Sequence, residues 1–455
     1  MRDIIFTLVF FAILPACYRR PFIGVCVFSW LGYMRAQDLT WGFARKQRWS
    51  FVVSVAMIVG WLKHPRERWF DKVGRTWMMM AMCVTILIGL LLVPNPVESH
   101  IWGKYNQFTK IILVCLMTMS VVNHREHLRI MVWVIALSFG FFGVKVGMAG
   151  VLSGGSLRVL QGPGGMLEDN NDFSLALCMA LPLLIAIGVS EKRPIFRRWM
   201  KLIVPLTGLA VILTYSRGGF LTLMGVIGVQ IWRSRYRGRA ILATPFLLAI
   251  GYAVAPAEWK ERIATIGEYE EDGSAKGRLV AWATGARMAA DNPFFGVGYE
   301  HFRANYQRYA LPGETTRVAH NSYIQVWAEC GTITLCLYFG LILATFIDLW
   351  RVRKQARKRY YASWIIDYAN MFESSFVAFM IGSTFLNRAH FDLFYHYVAL
   401  VVCFTRIARQ EMAQEVTRPL RTTTVRERLV PVRKSAFERP RLPGLAGRSA
   451  FGTGS

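Results

Sequence analysis

Two residues in this chain carry chemistry that their surroundings do not explain. Arg217 stands in "VILTYSRGGFLTLMG", a full positive charge between two apolar runs with two glycines behind it. Ser216 reads as a helix N-cap and Gly218-Gly219 as the opening of the next helix. Free backbone N–H groups, the positive end of a helix macrodipole and a guanidinium therefore meet at one place. That combination suits a phosphate, for which arginine offers a fork of donors. The structural alternative is a lone arginine snorkelling from a span end to the interface. His320 precedes a second apolar run, in "HNSYIQVWAECG". The dipole at a helix N-terminus disfavours the charged imidazole and leaves the neutral form that a general base needs. The plainer alternative is a histidine hydrogen-bonded to its loop, with Asn321 as a polar capper.

Further cations accompany these two. Arg278 and Arg287 share the helix expected from about Arg278 to Ala290, but nine residues place them half a turn out of phase at 3.6 residues per turn. One helix face cannot present both, and Arg278, at the helix opening, is the one expected to face a site. Arg158 and Arg388 are further candidates for an anion. The stretch "EDNNDF", Glu168 to Phe173, brings carboxylates and amides to a helix entry. Asp169 and Asn170 there read either as caps or, with Asn321, as partners for glycan hydroxyls. No spacing suggests a metal site, so a metal-independent mechanism with no cofactor is expected.

The elements that must position these residues are membrane helices. The chain has 455 residues, 54% of them hydrophobic, and a positive mean hydropathy, which a water-soluble domain of this length does not usually show. Apolar segments recur at about 4–17, 21–34, 50–62, 76–94, 108–122, 127–149, 173–189, 200–214, 219–233, 239–255, 321–349, 368–386 and 391–407. Two of these, around Arg19, Arg20 and Pro21, are short, and form either one broken span or a tight hairpin. The expectation is an all-α polytopic membrane protein of about 12 transmembrane helices, with the first run an uncleaved span. The transmembrane domain covers 1–407, a large helical loop at 256–319 is inserted between spans, and a basic, disordered cytoplasmic tail occupies 408–455.

Charge sets the orientation. The net charge of +26 resides mostly in short connections such as "KHPRERWFDKVGR" and "RVRKQARKRYY", the pattern of loops retained in the cytoplasm. No aromatic-interleaved basic domain accompanies it, so nucleic acid is excluded as a partner. Acidic and basic residues balance within 256–319, as befits a long outer loop. The eight cysteines lie mostly within spans and behave as small hydrophobes. Two spans separate the 150–172 loop from Arg217, two more separate Arg217 from the insertion, and another two lead from His320 to Arg388. An even number of crossings returns the chain to the same side, so all four stretches are expected on the face opposite the basic loops.

At these residues the sequence resembles the bacterial O-antigen ligases of lipopolysaccharide assembly. The wider group includes O-antigen polymerases and protein O-oligosaccharyltransferases. The motifs are "YSRGGFL" at 215–221, "GRLVAWATGARMAADNPFFGVGYEHF" at 277–302 and "HNSYIQVWAECG" at 320–331, and the likeness covers about 200–400. "EDNNDFSLAL" also looks like the ligases associated with exosortase systems. The resemblance implies a GT-C type glycosyltransferase of the bacterial inner membrane with its active site facing the periplasm. It implies transfer of a completed glycan from undecaprenyl diphosphate to a sugar hydroxyl of lipid A-core by a metal-independent inverting displacement. His320 carries over as the base, and Arg217 and Arg278 as diphosphate binders. A protein or a growing glycan is the alternative acceptor. From another class, a lipid-linked glycan transporter would also gather cations, but it calls for polar residues midway along spans.

Overall fold

The structure, a computed structural model, describes residues 1–64, 73–92, 99–191, 193–234, 237–239, 241–242, 260, 273–358 and 363–417. The expected span at 239–255 lies for the most part outside the described residues, as do the first part of the insertion and most of the tail. Helices dominate what is described, and a short antiparallel hairpin, β1 (Gln161–Gly164) with β2 (Leu167–Asp169), departs from the all-α expectation.

Helix α1 (Arg2–Arg19) ends where Arg20 turns extended, and α2 (Pro21–Tyr33) starts at once with Pro21 in its first turn, a position where proline's missing N–H is harmless. The Asp3 carboxylate accepts the amides of Gly42 and Ala44, both at 3.0 Å and both beyond the far end of α2. The pair is therefore a tight hairpin. The helices α3 (Trp49–Lys63), α4 (Gly74–Leu92), α5 (Ser99–Val121) and α6 (Arg125–Leu152) follow. The hairpin then leads into α7 (Asn170–Ser190), α8 (Pro194–Ile212) and α9 (Arg217–Arg233). Within the insertion are α10 (Gly273–Asp291) and α11 (Phe302–Tyr309), and after it come α12 (Ser322–Arg357), α13 (Ser363–Ser383) and α14 (Asp392–Thr417).

Among the described residues, α4, α6, α7 and α12 are long and apolar enough to cross a bilayer. The protein is a multi-pass helical membrane protein. Two boundaries differ from expectation. Helix α5 starts at Ser99 rather than at 108, because its first turns are amphipathic and contribute polar side chains to a cavity. Helix α14 runs on to Thr417, past the boundary at 407.

The core centres on α7 and α14, whose apolar residues are buried around most of their circumference, as expected of helices enclosed by other helices. Helix α6 packs on α8 at backbone distance: a Cβ at Gly147 would lie 2.4 Å from the Leu206 carbonyl oxygen. Small residues that let backbones meet replace the hydrophobic driving force that lipid cannot supply. At the end remote from Arg217, Arg75 (1% exposed) pairs with Asp348 at 2.6 Å, and Arg409 joins the same carboxylate at 2.7 Å.

One break in a helix carries the site. Gly331 sits inside α12 with φ 77° and ψ 178°, conformations open to glycine. The break releases the carbonyls of Ala328 and Glu329, which accept the amides of Val297 and Gly298 at 2.8 and 3.0 Å. The Thr332 amide donates to the Pro293 carbonyl at 2.8 Å. A Cβ at Gly331 would lie 2.2 Å from the Phe294 carbonyl oxygen. The segment "NPFFGVG" thus plugs into the break in "AECGT" and fixes the insertion on α12.

Candidate active site

Three long helices begin at the site: α7 at Asn170, α9 at Arg217 and α12 at Ser322. Their first amides and dipoles make this face positive before any side chain is counted. Ser216 caps α9 by accepting the Gly219 amide at 3.0 Å. Asp169 caps α7 by accepting the Asn171 amide at 2.8 Å. Asn321 caps α12 by accepting the amides of Tyr323 and Ile324 at 2.9 and 3.1 Å.

Gly219 lets two of these helices meet, since a Cβ there would sit 2.3 Å from Ser174 Oγ on α7. The result is a cavity of about 290 Å³ whose lining includes Asn171, Ser174, Ser216, Arg217 and Arg278, together with Phe385. Arg278 also lines an adjoining cavity of about 580 Å³ that holds His320, Arg303 and Arg317. Trp282, one turn after Arg278, donates its indole N–H to the Ala319 carbonyl at 2.8 Å. This bond joins α10 to the residue beside His320.

His320 takes a left-handed conformation, φ 47°, and stays open to its cavity. Desolvation of the ring and then the positive charge of Arg278 hold its pKa below the usual 6.5, against a smaller opposing pull from Asp169. The imidazole is therefore neutral at pH 7 and available to accept a proton.

The remaining sequence candidates lie elsewhere. Arg287 donates to Thr284 Oγ1 at 2.9 Å and lines neither of these cavities. Arg158 is exposed and stacks over the Tyr215 ring at 5.4 Å. Arg388 forks onto the buried Asp172 carboxylate and faces a different cavity. Asn170 donates to the Thr214 carbonyl at 2.8 Å, and the asparagine that reaches the arginine cavity is Asn171. Sequence reasoning missed Asn171, Ser174, Arg303 and Arg317. Asn171 follows from helix phase, since Asn170 and Asn171 point 100° apart. Arg303 had no local signal, because only the folded insertion brings it to His320, whereas Arg317 is a close sequence neighbour of His320 and could have been read from "TTRVAH".

The class of protein is thus a multi-pass helical membrane protein with a cationic site built from helix N-termini at one end of the bundle. A family model described as O-antigen ligase matches residues 202–339, which includes Ser216, Arg217, Arg278 and His320. Residues 202–339 thus carry an O-antigen ligase domain, a domain whose activity is in general of the glycan ligase and polymerase kind. A second model, for a family of unknown function, matches residues 1–187, which includes Asn171. No curated protein matches the chain.

Proposed function

We propose that the protein transfers a completed glycan from undecaprenyl diphosphate to a sugar hydroxyl of lipid A-core, on the periplasmic face of the bacterial inner membrane. The fold we assign is the GT-C type with about 12 spans. The observation that carries this reading is the position of Arg278, which lines both the cavity of Arg217 and the cavity of His320. A diphosphate held between Arg217, Arg278 and the first amides of α9 presents its anomeric carbon toward the imidazole. The acceptor oxygen attacks that carbon from the face opposite the diphosphate, and His320 takes the hydroxyl proton. The anomeric C–O bond breaks, its electron pair stays on the diphosphate oxygen, and the configuration inverts. The charge gathering on the leaving group falls on guanidiniums and helix amides that are already oriented. These groups supply the stabilisation that another enzyme would draw from a cation, so we propose a metal-independent reaction. His320 afterwards loses its proton to solvent.

The test is transfer by purified protein from undecaprenyl diphosphate-linked glycan to lipid A-core, with a chelator present, followed by gel shift. Transfer by wild type that is lost in both Arg217→Ala and His320→Ala is the expected result. Retained transfer by both variants overturns the mechanism. Glycan delivered instead to a serine-containing protein or to the growing lipid-linked chain overturns the acceptor.

A further inference from the structure

Residues 384–391 join α13 to α14, and Arg388 among them ties together the entries of two other helices. Its guanidinium forks onto the Asp172 carboxylate in the first turn of α7. Its backbone amide donates at 2.9 Å to the hydroxyl of Ser322, the first residue of α12, and that hydroxyl donates to the Leu386 carbonyl at 2.7 Å. Asp172 is 3% exposed and Ser322 is fully buried, so both ends of the tie are shielded from competing water.

Each end lies beside a functional residue. Asp172 follows Asn171, whose Oδ1 accepts the Ser216 hydroxyl at 2.6 Å, and Ser216 immediately precedes Arg217. Ser322 lies two residues past His320. Arg217 and His320 are thereby connected through Ser216, the adjacent Asn171 and Asp172, Arg388 and Ser322. Arg388 itself lines neither the arginine cavity nor the histidine cavity, although Phe385 and Leu386 of the same loop line the first. A guanidinium that forks onto a carboxylate fixes direction as well as distance, which a single contact on a flexible stem does not.

We propose that Arg388 is a positioning residue for transfer: by clamping the entry of α7 to the entry of α12 it sets where the His320 imidazole stands relative to the Arg217 cavity. The role rests on the glycan-transfer reading above, in which Arg388 neither holds the donor nor takes a proton. The bond between Asn171 and Ser216 is separate from the clamp, so α7 and α9 keep their mutual register when Arg388 is changed. Donor binding then survives while the base is displaced. A misplacement of about 1 Å can cost on the order of 100-fold in rate.

The experiment compares wild type, Arg388→Gln, Arg388→Lys and Ser322→Ala with Gly60→Ala, a control in which the added methyl meets the Tyr18 carbonyl between α1 and α3. Three quantities are read on the full-length protein in detergent. They are kcat per folded molecule, affinity for undecaprenyl diphosphate, and the distance between spin labels on the chain leading into each entry. The labels sit at Glu168→Cys and Thr315→Cys, both exposed positions, with the exposed Cys336 changed by Cys336→Ser. We expect kcat to fall about tenfold or more in Arg388→Gln, less in Ser322→Ala, and to recover in part in Arg388→Lys, with donor affinity within about threefold of wild type. The label distance shifts or broadens in the same order, and Gly60→Ala keeps the wild-type rate and distance. Where Arg388→Gln does not fold, Ser322→Ala and Arg388→Lys carry the same signs. An unchanged rate or an unchanged distance in the folded variants overturns the proposal, as does a loss of rate that Gly60→Ala reproduces. A loss of donor affinity as large as the loss of rate puts Arg388 in the donor site and also overturns it. If the distance depends on Arg388 while wild type performs no transfer, the clamp stands and the transfer reading falls. If wild type transfers while rate and distance ignore Arg388, the reverse holds.

Discussion

Ser216 donates its hydroxyl to Asn171 Oδ1 at 2.6 Å while the same oxygen accepts the Gly219 amide at 3.0 Å. One side chain therefore caps α9 and ties it to the start of α7. The tie also joins the two matched segments, since Asn171 lies within 1–187 and Ser216 within 202–339. The site is assembled across that junction, which gives each half a reason to hold its geometry against the other.

Ser216→Ala removes both bonds. Loss of a Ser N-cap costs about 1 kcal/mol, within a range of roughly 0.5–2, so a modest fall in thermal stability is expected. The transfer rate falls further than stability does, because Arg217 is the next residue and its placement depends on the cap. Thermal unfolding and transfer kinetics on the same preparation separate the two effects.

Arg217→Ala and Arg278→Ala each slow transfer by roughly 100–1,000-fold, the loss seen when one oriented donor to a developing anion is removed. Lysine at either position restores charge without the planar fork and recovers only part of the rate. Steady-state kinetics at saturating acceptor provide the check, and an Arg217→Lys rate equal to wild type contradicts the fork.

The acid limb of the pH–rate profile reports His320. Protonation removes the base, and the pKa is depressed from 6.5, so the limb falls below pH 6.5. The charge of Arg278 pushes this pKa down and that of Asp169 pushes it up. Arg278→Gln therefore moves the limb to higher pH, and Asp169→Asn, which keeps a good N-cap, moves it to lower pH. Profiles of kcat/KM for the three proteins test both signs.

Gly219→Ala places a methyl 2.3 Å from Ser174 Oγ and 2.7 Å from its Cβ. Overpacking of this kind costs typically about 1–3 kcal/mol. Ser174→Gly removes both clashing atoms, so the double variant is more stable than the sum of the single changes implies. Thermal unfolding of the four proteins in the cycle measures the coupling.

Asp172→Asn strips Arg388 of its charge partner. Removing one member of a buried pair costs about 3–5 kcal/mol, and the lower end is expected because the Arg388 side chain keeps 32% of its surface exposed. Arg388→Gln leaves the 4%-exposed Asp172 unpaired and is the more damaging of the two. The order of the two melting temperatures decides the point.

Much of this protein is legible in its sequence because the governing patterns are local. Apolar run lengths mark the helices, basic connections mark a side, and Ser216, Asp169 and Asn321 announce helix starts where they are found. Span parity leads to the expectation that the Arg217, Arg278, His320 and Arg388 stretches share one face, since a bilayer leaves a helix only two ends at which to emerge. What parity cannot do is choose among cations on that face. Arg388 and Arg217 look alike in the sequence, yet one forks onto a buried carboxylate and the other lines a cavity with Arg278. The role of "NPFFGVG" was also hidden, because it depends on carbonyls released by a break in α12. Pairing of this kind joins residues far apart in the chain and is settled by which backbones approach closely enough, as Gly219 and Gly331 permit. The sequence determined most of the described helices and the candidate charges. Only the tertiary structure decided which charges meet, because their partners are contributed by different helices.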